Sequence, residues 1–128
     1  MNINKFTQKS LQAVQDCEKT AMEYGNQQIE QEHLLYALLT QDDSLILKLM
    51  EKMGLDKNLV VNRVEEAISK RPKVQGGQQY VGQDLNNALI HAEDEAAQMG
   101  DEYVSVEHLL ADVLFYNGSA YETAYYRA

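Results

Sequence analysis

Glu30 and His33 stand three residues apart in a Glu-x-x-His pair, the spacing with which di-iron helical bundles turn two ligands toward one ion. The equivalent pair in the second half of the chain reads Ser105 and His108, and the chain holds only three histidines, so half of such a ligand set is missing. The expectation is therefore no metal ligand. His33 and His108 should instead pack near the starts of their helices with one ring nitrogen hydrogen-bonded. A metal-binding helical bundle remains the competing class, to be decided by elemental analysis of the purified protein. Cys17 is the only cysteine and lies on an apolar helix face, which favours a small buried thiol over a reactive one and agrees with a reducing compartment, the cytoplasm. A phosphate-binding loop needs spaced glycines followed by Lys and Ser or Thr, and Gly76-Gly77-Gln78 offers neither. No nucleophile, base and orienting group assemble into a catalytic set, so the expectation is a non-enzymatic chain with no cofactor.

Glu32 and Glu107 are the most informative polar pair, because each occupies the first turn of a short helix at the same place in two related segments. Two readings stay open. A carboxylate there gains about 0.3–1 kcal/mol from the free N–H groups of the helix start, which could account for both positions. Alternatively the two carboxylates, with Thr7 and Asp101 nearby, form acidic pockets for a cationic side chain such as a guanidinium.

The elements that must position these residues come from an internal repeat. Displacing the chain by 75 residues lays Phe6–Leu39 on Val81–Leu114 without a gap and makes ten positions identical, among them Gly25/Gly100, Glu32/Glu107, His33/His108 and Leu34/Leu109. Apolar residues recur at helical spacing in both copies: Phe6, Ser10, Ala13, Val14, Cys17, Ala21, and Val81, Leu85, Ala88, Leu89, Ala92, Ala96. Each copy thus opens with a long helix that stops at Gly25 or Gly100, the first of them capped by Thr7. Shorter helices follow at about 31–40 and 106–116. The first copy continues with a helix over 45–53, capped by Ser44 and ended by Gly54, and another from the Asp56 cap to about Lys70. Residues 71–81 combine Pro and Gly with few core residues and read as a linker. The expected architecture is all-α: one domain over 1–128, built of two pseudo-twofold helical repeats (6–70 and 82–128).

Eleven basic against twenty acidic residues leave a net charge of −9, a surface that repels nucleic-acid phosphates and anionic membranes. The longest apolar run, Leu34–Leu39, is six residues, far short of a membrane span. The N-terminus turns polar after Phe6 and lacks the apolar core of a signal peptide.

The start Phe6-Thr7, the motif Ile29-x-x-Glu32-His33-Leu34-Leu35, the linker Arg71-Pro72-Lys73-Val74 and the run from Gly100 to Leu110 together resemble the N-terminal domain of Clp-type AAA+ unfoldases, most closely the ClpB disaggregase branch. The resemblance covers residues 1 to about 114. It implies two four-helix repeats tethered to an ATP-driven hexameric ring, engaging unfolded or aggregated proteins and adaptors in the stress response, with ATP and Mg bound only by ATPase modules outside this chain. A hydroxyl and two carboxylates used for substrates in ClpB relatives fall on Thr7, Asp101 and Glu107. Glutamates that hold phosphoarginine-marked substrates in ClpC relatives fall on Glu32 and Glu107, making a ClpC-like receptor or adaptor the alternative function. An apolar groove for unfolded clients is expected beside them, with Leu89 and Ile90 as contributors.

Position 31 is Gln where many relatives have Pro, and residues 115–128 depart from the family pattern. Ser119-x-x-Glu122 is a capping-box pattern that predicts a seventh helix to about Arg127, leaving the second repeat without its last helix. The domain is accordingly expected to be a monomer or a weak, concentration-dependent dimer. Lacking a phosphate-binding loop, it is predicted to show no saturable ATP binding by calorimetry; a measurable binding isotherm would contradict this.

Overall fold

The computed structural model describes residues 2–41 and 44–115. After a 3-10 turn at Ile3–Lys5, helix α1 spans Gln8–Glu23. Thr7 begins it from extended backbone, its Oγ1 accepting from the Ser10 N–H at 3.2 Å. The helix ends at Gly25, where φ is +73°, a conformation that penalises a Cβ; Gly100 ends the equivalent helix of the second copy at +77°. A two-residue strand β1 (Gln28–Ile29) leads into α2 (Gln31–Thr40), followed by α3 (Ser44–Lys52) and α4 (Lys57–Ser69). Asp56 caps α4 by accepting from the N–H groups of Asn58 and Leu59. Strand β2 (Tyr80–Val81), α5 (Gln83–Gln98) and α6 (Val106–Phe115) form the second copy. The expected helix over 119–127 lies outside the described residues.

Helix α2 is apolar almost all round, as a central helix must be. Leu34, Leu35, Leu38 and Leu39 are each at most 1% exposed, and α2 packs against α1, α4 and α6. Leu109, Leu110 and Val113 give α6 its buried face, and α6 also meets α1 and α5. The second long helix contributes Leu85, Leu89, Ala92 and Ala96 to the same core.

Two features depart from the all-helical expectation, and both concern how the copies are joined. Phe6 forms a parallel bridge with Val104, and Val81 pairs in parallel with Ile29. Under the 75-residue offset these are one interaction made twice, with the partners exchanged: the Thr7 N–H donates to the Val104 carbonyl at 3.0 Å, and the Gly82 N–H to the Ile29 carbonyl at 2.8 Å. Each copy therefore inserts its entry segment into the other. Val81 accordingly lies in extended backbone, 47% exposed, and does not extend the buried helix face on which the spacing placed it. The last two linker residues are β2 itself.

The two junctions solve one packing problem in opposite ways. Thr7 and Gly82 have nearly identical backbone angles (φ −66°, ψ 161° and φ −68°, ψ 160°), so glycine at 82 is not required by conformation. It answers space instead, since a Cβ there would displace the end of the Glu30 side chain. A Cβ on Gly82 would fall 1.3 Å from Glu30 Oε1, whereas the residue equivalent to Glu30 in the other junction is the small Ser105. Large side chain and glycine at one junction answer small side chain and threonine at the other. Gly82→Ala is therefore predicted to destabilise the domain by about 1–3 kcal/mol through overpacking. Adding Glu30→Ser, the second copy's own solution, should recover most of that loss in a double-mutant denaturation cycle. Independent, additive effects would contradict the reading.

Candidate functional site

The loops before α2 and α6 carry two related constellations. In the first, the Glu30 N–H donates to His33 Nδ1 at 2.9 Å, and His33 Nε2 lies 3.0 Å from Asn26 Oδ1. In the second, the Ser105 N–H donates to His108 Nδ1 at 2.9 Å, and His108 Nε2 lies 2.9 Å from Asp101 Oδ2. A ring whose Nδ1 accepts from backbone is neutral and carries its proton on Nε2, which then donates to Asn26 or Asp101. Both histidines thus use both ring nitrogens, one more than expected, to pin the loop against the helix start. Burial holds the His33 imidazolium less stable than in water and lowers its pKa. Glu30 is itself buried, which pushes its carboxyl above the usual carboxylate range. The Glu-x-x-His pair is in this way a helix-start clasp.

The repeated glutamates part company. Glu32 is 7% exposed, and its Oε2 accepts from the Arg71 guanidinium Nε in a largely buried ion pair. Glu107 is exposed and lines an open concavity of about 470 Å³ with Glu95, Met99, Asp101, Glu102, Tyr103, Ser105, His108 and Ala111. The mate of this concavity in the first copy, against Asn26, Gln27 and Gln28, has shrunk to about 170 Å³ and is walled by Arg71, Pro72, Val74 and Tyr80. The linker fills it. Beyond the Arg71 contact, the Val74 N–H donates to the Gly25 carbonyl at 2.9 Å, and Asn26 Nδ2 donates to the Pro72 carbonyl at 3.2 Å.

Side-chain bulk adds to the difference. Tyr24 and Tyr36 form an edge-to-face ring pair 6.4 Å apart, and their equivalents in the second copy, Met99 and Ala111, line the open groove. The open groove joins four carboxylates to two exposed apolar side chains, Met99 (69%) and Tyr103 (47%).

Of the residues singled out from the sequence, Asp101 and Glu107 share the open groove. Thr7 lies outside its lining; it caps α1 and pairs its backbone with Val104, just before the α6 start. Glu32 faces the linker in the other groove. Leu89, expected to contribute to an apolar groove, is 4% exposed in the core, and Ile90 is 45% exposed; neither lines the open groove. Cys17 is buried as expected, and burial pushes its thiol up to about 12. Sequence reasoning missed Arg71 as a site residue, and missed Met99, Glu102 and Tyr103. The 75-residue offset carried the signal for the latter three, since it aligns 99–105 with 24–30.

The twin glutamates should separate in stability measurements. Glu32→Gln is predicted to lower unfolding free energy by about 1.5–3 kcal/mol, the worth of a hydrogen bond to a charged group, and to speed amide exchange at Val74 as the linker loosens. Glu107→Gln should change stability by less than about 1 kcal/mol, the most a carboxylate gains from an exposed helix start. Equal effects of the two substitutions would contradict the asymmetry.

The comparisons with known proteins agree with this architecture. The family model described as the Clp repeat (R) N-terminal domain matches residues 5–121. The chain is 42% identical over 114 residues to the chaperone protein ClpB of Porphyromonas gingivalis, covering 89% of this chain and 13% of that protein. It is 40% identical over 119 residues to ClpB of Nitratidesulfovibrio vulgaris, covering 89% and 14%. The chain thus spans about an eighth to a seventh of the length of these relatives. Among solved structures, the Hsp104 N-terminal domain from Candida albicans superposes with a TM-score of 0.76 at 20% identity, covering 87% of this chain and 74% of that one. The N-terminal domain of the ClpV1 ATPase from E. coli gives a TM-score of 0.76 at 20% identity, covering 87% and 68%. The repeat, the fold and the relatives converge: this chain belongs to the Clp repeat N-terminal domain family.

Proposed function

We propose that the domain is a non-catalytic recognition module of a ClpB-like, ATP-dependent unfoldase or disaggregase, and that the open groove of its second repeat receives cationic side chains of unfolded or aggregated proteins. The observation that carries this reading is the occupied groove of the first repeat. There an extended segment of the chain's own linker lies in the concavity, with a guanidinium on the glutamate and a backbone hydrogen bond to the loop. The second groove has the same glutamate, the same loop and more room. An extended client segment carrying arginine would repeat the linker's contacts, with Asp101, Glu95 and Glu102 adding charge complementarity and Met99 and Tyr103 adding apolar contact.

Arg71 carries an unmodified guanidinium, so plain arginine is the reference ligand. A phosphoarginine reading draws on Glu107 as well, but its phosphoryl group would enter a groove that already holds four carboxylates. In this reading ATP hydrolysis belongs to other modules of the parent protein, and the setting is the cytoplasm. No described helix is long and apolar enough to cross a membrane.

Glu107→Gln is predicted to weaken binding of an arginine-containing unfolded peptide by about 1.5–3 kcal/mol, the loss of one charge-assisted hydrogen bond, in fluorescence anisotropy at low salt. Glu32→Gln should leave the affinity near wild type, because its groove is already filled. Unchanged binding in Glu107→Gln would return that glutamate to a helix-start role.

A further inference from the structure

The second repeat contains a cluster that the first lacks altogether. Asp112 falls on Ala37 under the 75-residue offset, His91 on Asp16 and Glu95 on Thr20. Ala37 is a methyl group in the core, 2% exposed, so the second copy has placed a carboxylate, 3% exposed, where its twin buries an apolar side chain. Such a substitution is costly unless other groups compensate the charge. His91 on α5 supplies part of the compensation, its Nδ1 lying 2.7 Å from Asp112 Oδ1. That contact leaves the buried Asp112 Oδ2 without a hydrogen-bond partner among the described residues.

One helical turn beyond His91, Glu95 presents Oε1 at 3.8 Å from His91 Nε2. One donor atom from each of the three side chains lies within 4.8 Å of the others. We propose that His91, Glu95 and Asp112 form a binding site for a divalent transition-metal ion, with zinc as the reference ion.

The donor set of one imidazole and two carboxylates suits such an ion. Bonds of about 2 Å to each donor require donor atoms roughly 3–4 Å apart, so an ion bound at His91 Nδ1 takes the place of the proton shared in the 2.7 Å His91–Asp112 contact, which opens slightly, while the half-exposed Glu95 side chain swings from the Nε2 side of the ring. Half-exposed His91 and Glu95 leave a path from solvent, and Glu95 also lines the open groove, which sets the ion at that groove's edge. The His91–Asp112 and His91–Glu95 contacts account for Asp112 Oδ1 and for Glu95, but not for the buried Oδ2.

The test is titration of the chelator-stripped full chain with zinc by calorimetry, and with cobalt by visible absorption, which reports the geometry of the bound ion. Wild type is expected to bind one equivalent. His91→Ala and Asp112→Ala should each weaken zinc binding by at least about tenfold. Asp112→Ala installs the residue that the first repeat buries at the same place, so it should fold, and circular dichroism checks that it does. Zinc binding no tighter in wild type than in Asp112→Ala, or binding that survives His91→Ala, would overturn the proposal.

Discussion

Two backbone hydrogen bonds, from Thr7 to Val104 and from Gly82 to Ile29, hold the architecture in its pseudo-twofold form. Each joins the segment entering one repeat to the strand that precedes the short central helix of the other. Neither repeat can complete its own junction. The apolar faces of α2 and α6 then meet across the same axis, with Leu34 and Leu35 of one and Leu109 and Leu110 of the other buried in a common core. Because the junctions are reciprocal, the side chains beside them have to be complementary in volume, and the exchange of Glu30 with Gly82 against Ser105 with Thr7 is what that constraint looks like in sequence.

Once the backbone is duplicated, the two loops ahead of α2 and α6 present nearly the same groove, and the differences in function grow from the side chains and from the path of the linker. In the first copy the linker folds back, Arg71 meets Glu32, and Tyr24 and Tyr36 pack edge to face. In the second, methionine and alanine replace the tyrosines and the groove stays open among carboxylates. The two copies thus differ in one groove walled by the linker and one that stays open. The His91–Glu95–Asp112 cluster extends the same divergence to the outer side of α5 and α6.

Much of this was legible in the residues. The 75-residue offset and the helical spacing located all six described helices to within a residue or two, and Thr7, Asp56, Gly25 and Gly100 marked their ends through capping chemistry that depends only on neighbours in the chain. The two short strands were not legible, because Gln28-Ile29 and Tyr80-Val81 are extended only through pairing with a segment about fifty residues away. Leu89 lies in the core, on the apolar helix face where the spacing placed it; whether it also reaches a groove depends on how α5 meets α6, which local sequence does not show. Arg71 could be quoted as part of a motif yet not as the partner of Glu32, since nothing in local sequence shows that a linker turns back into a groove.

The central claim is that recognition is confined to the second repeat because the first groove is occupied from within. The most direct measurement is an amide chemical-shift titration of the isotope-labelled chain with an unfolded peptide containing arginine. The account predicts shifts concentrated in residues 99–111, with 24–36 and 71–74 left in place. Shifts centred on the first groove, or displacement of the linker amides at the same peptide concentration, would contradict it.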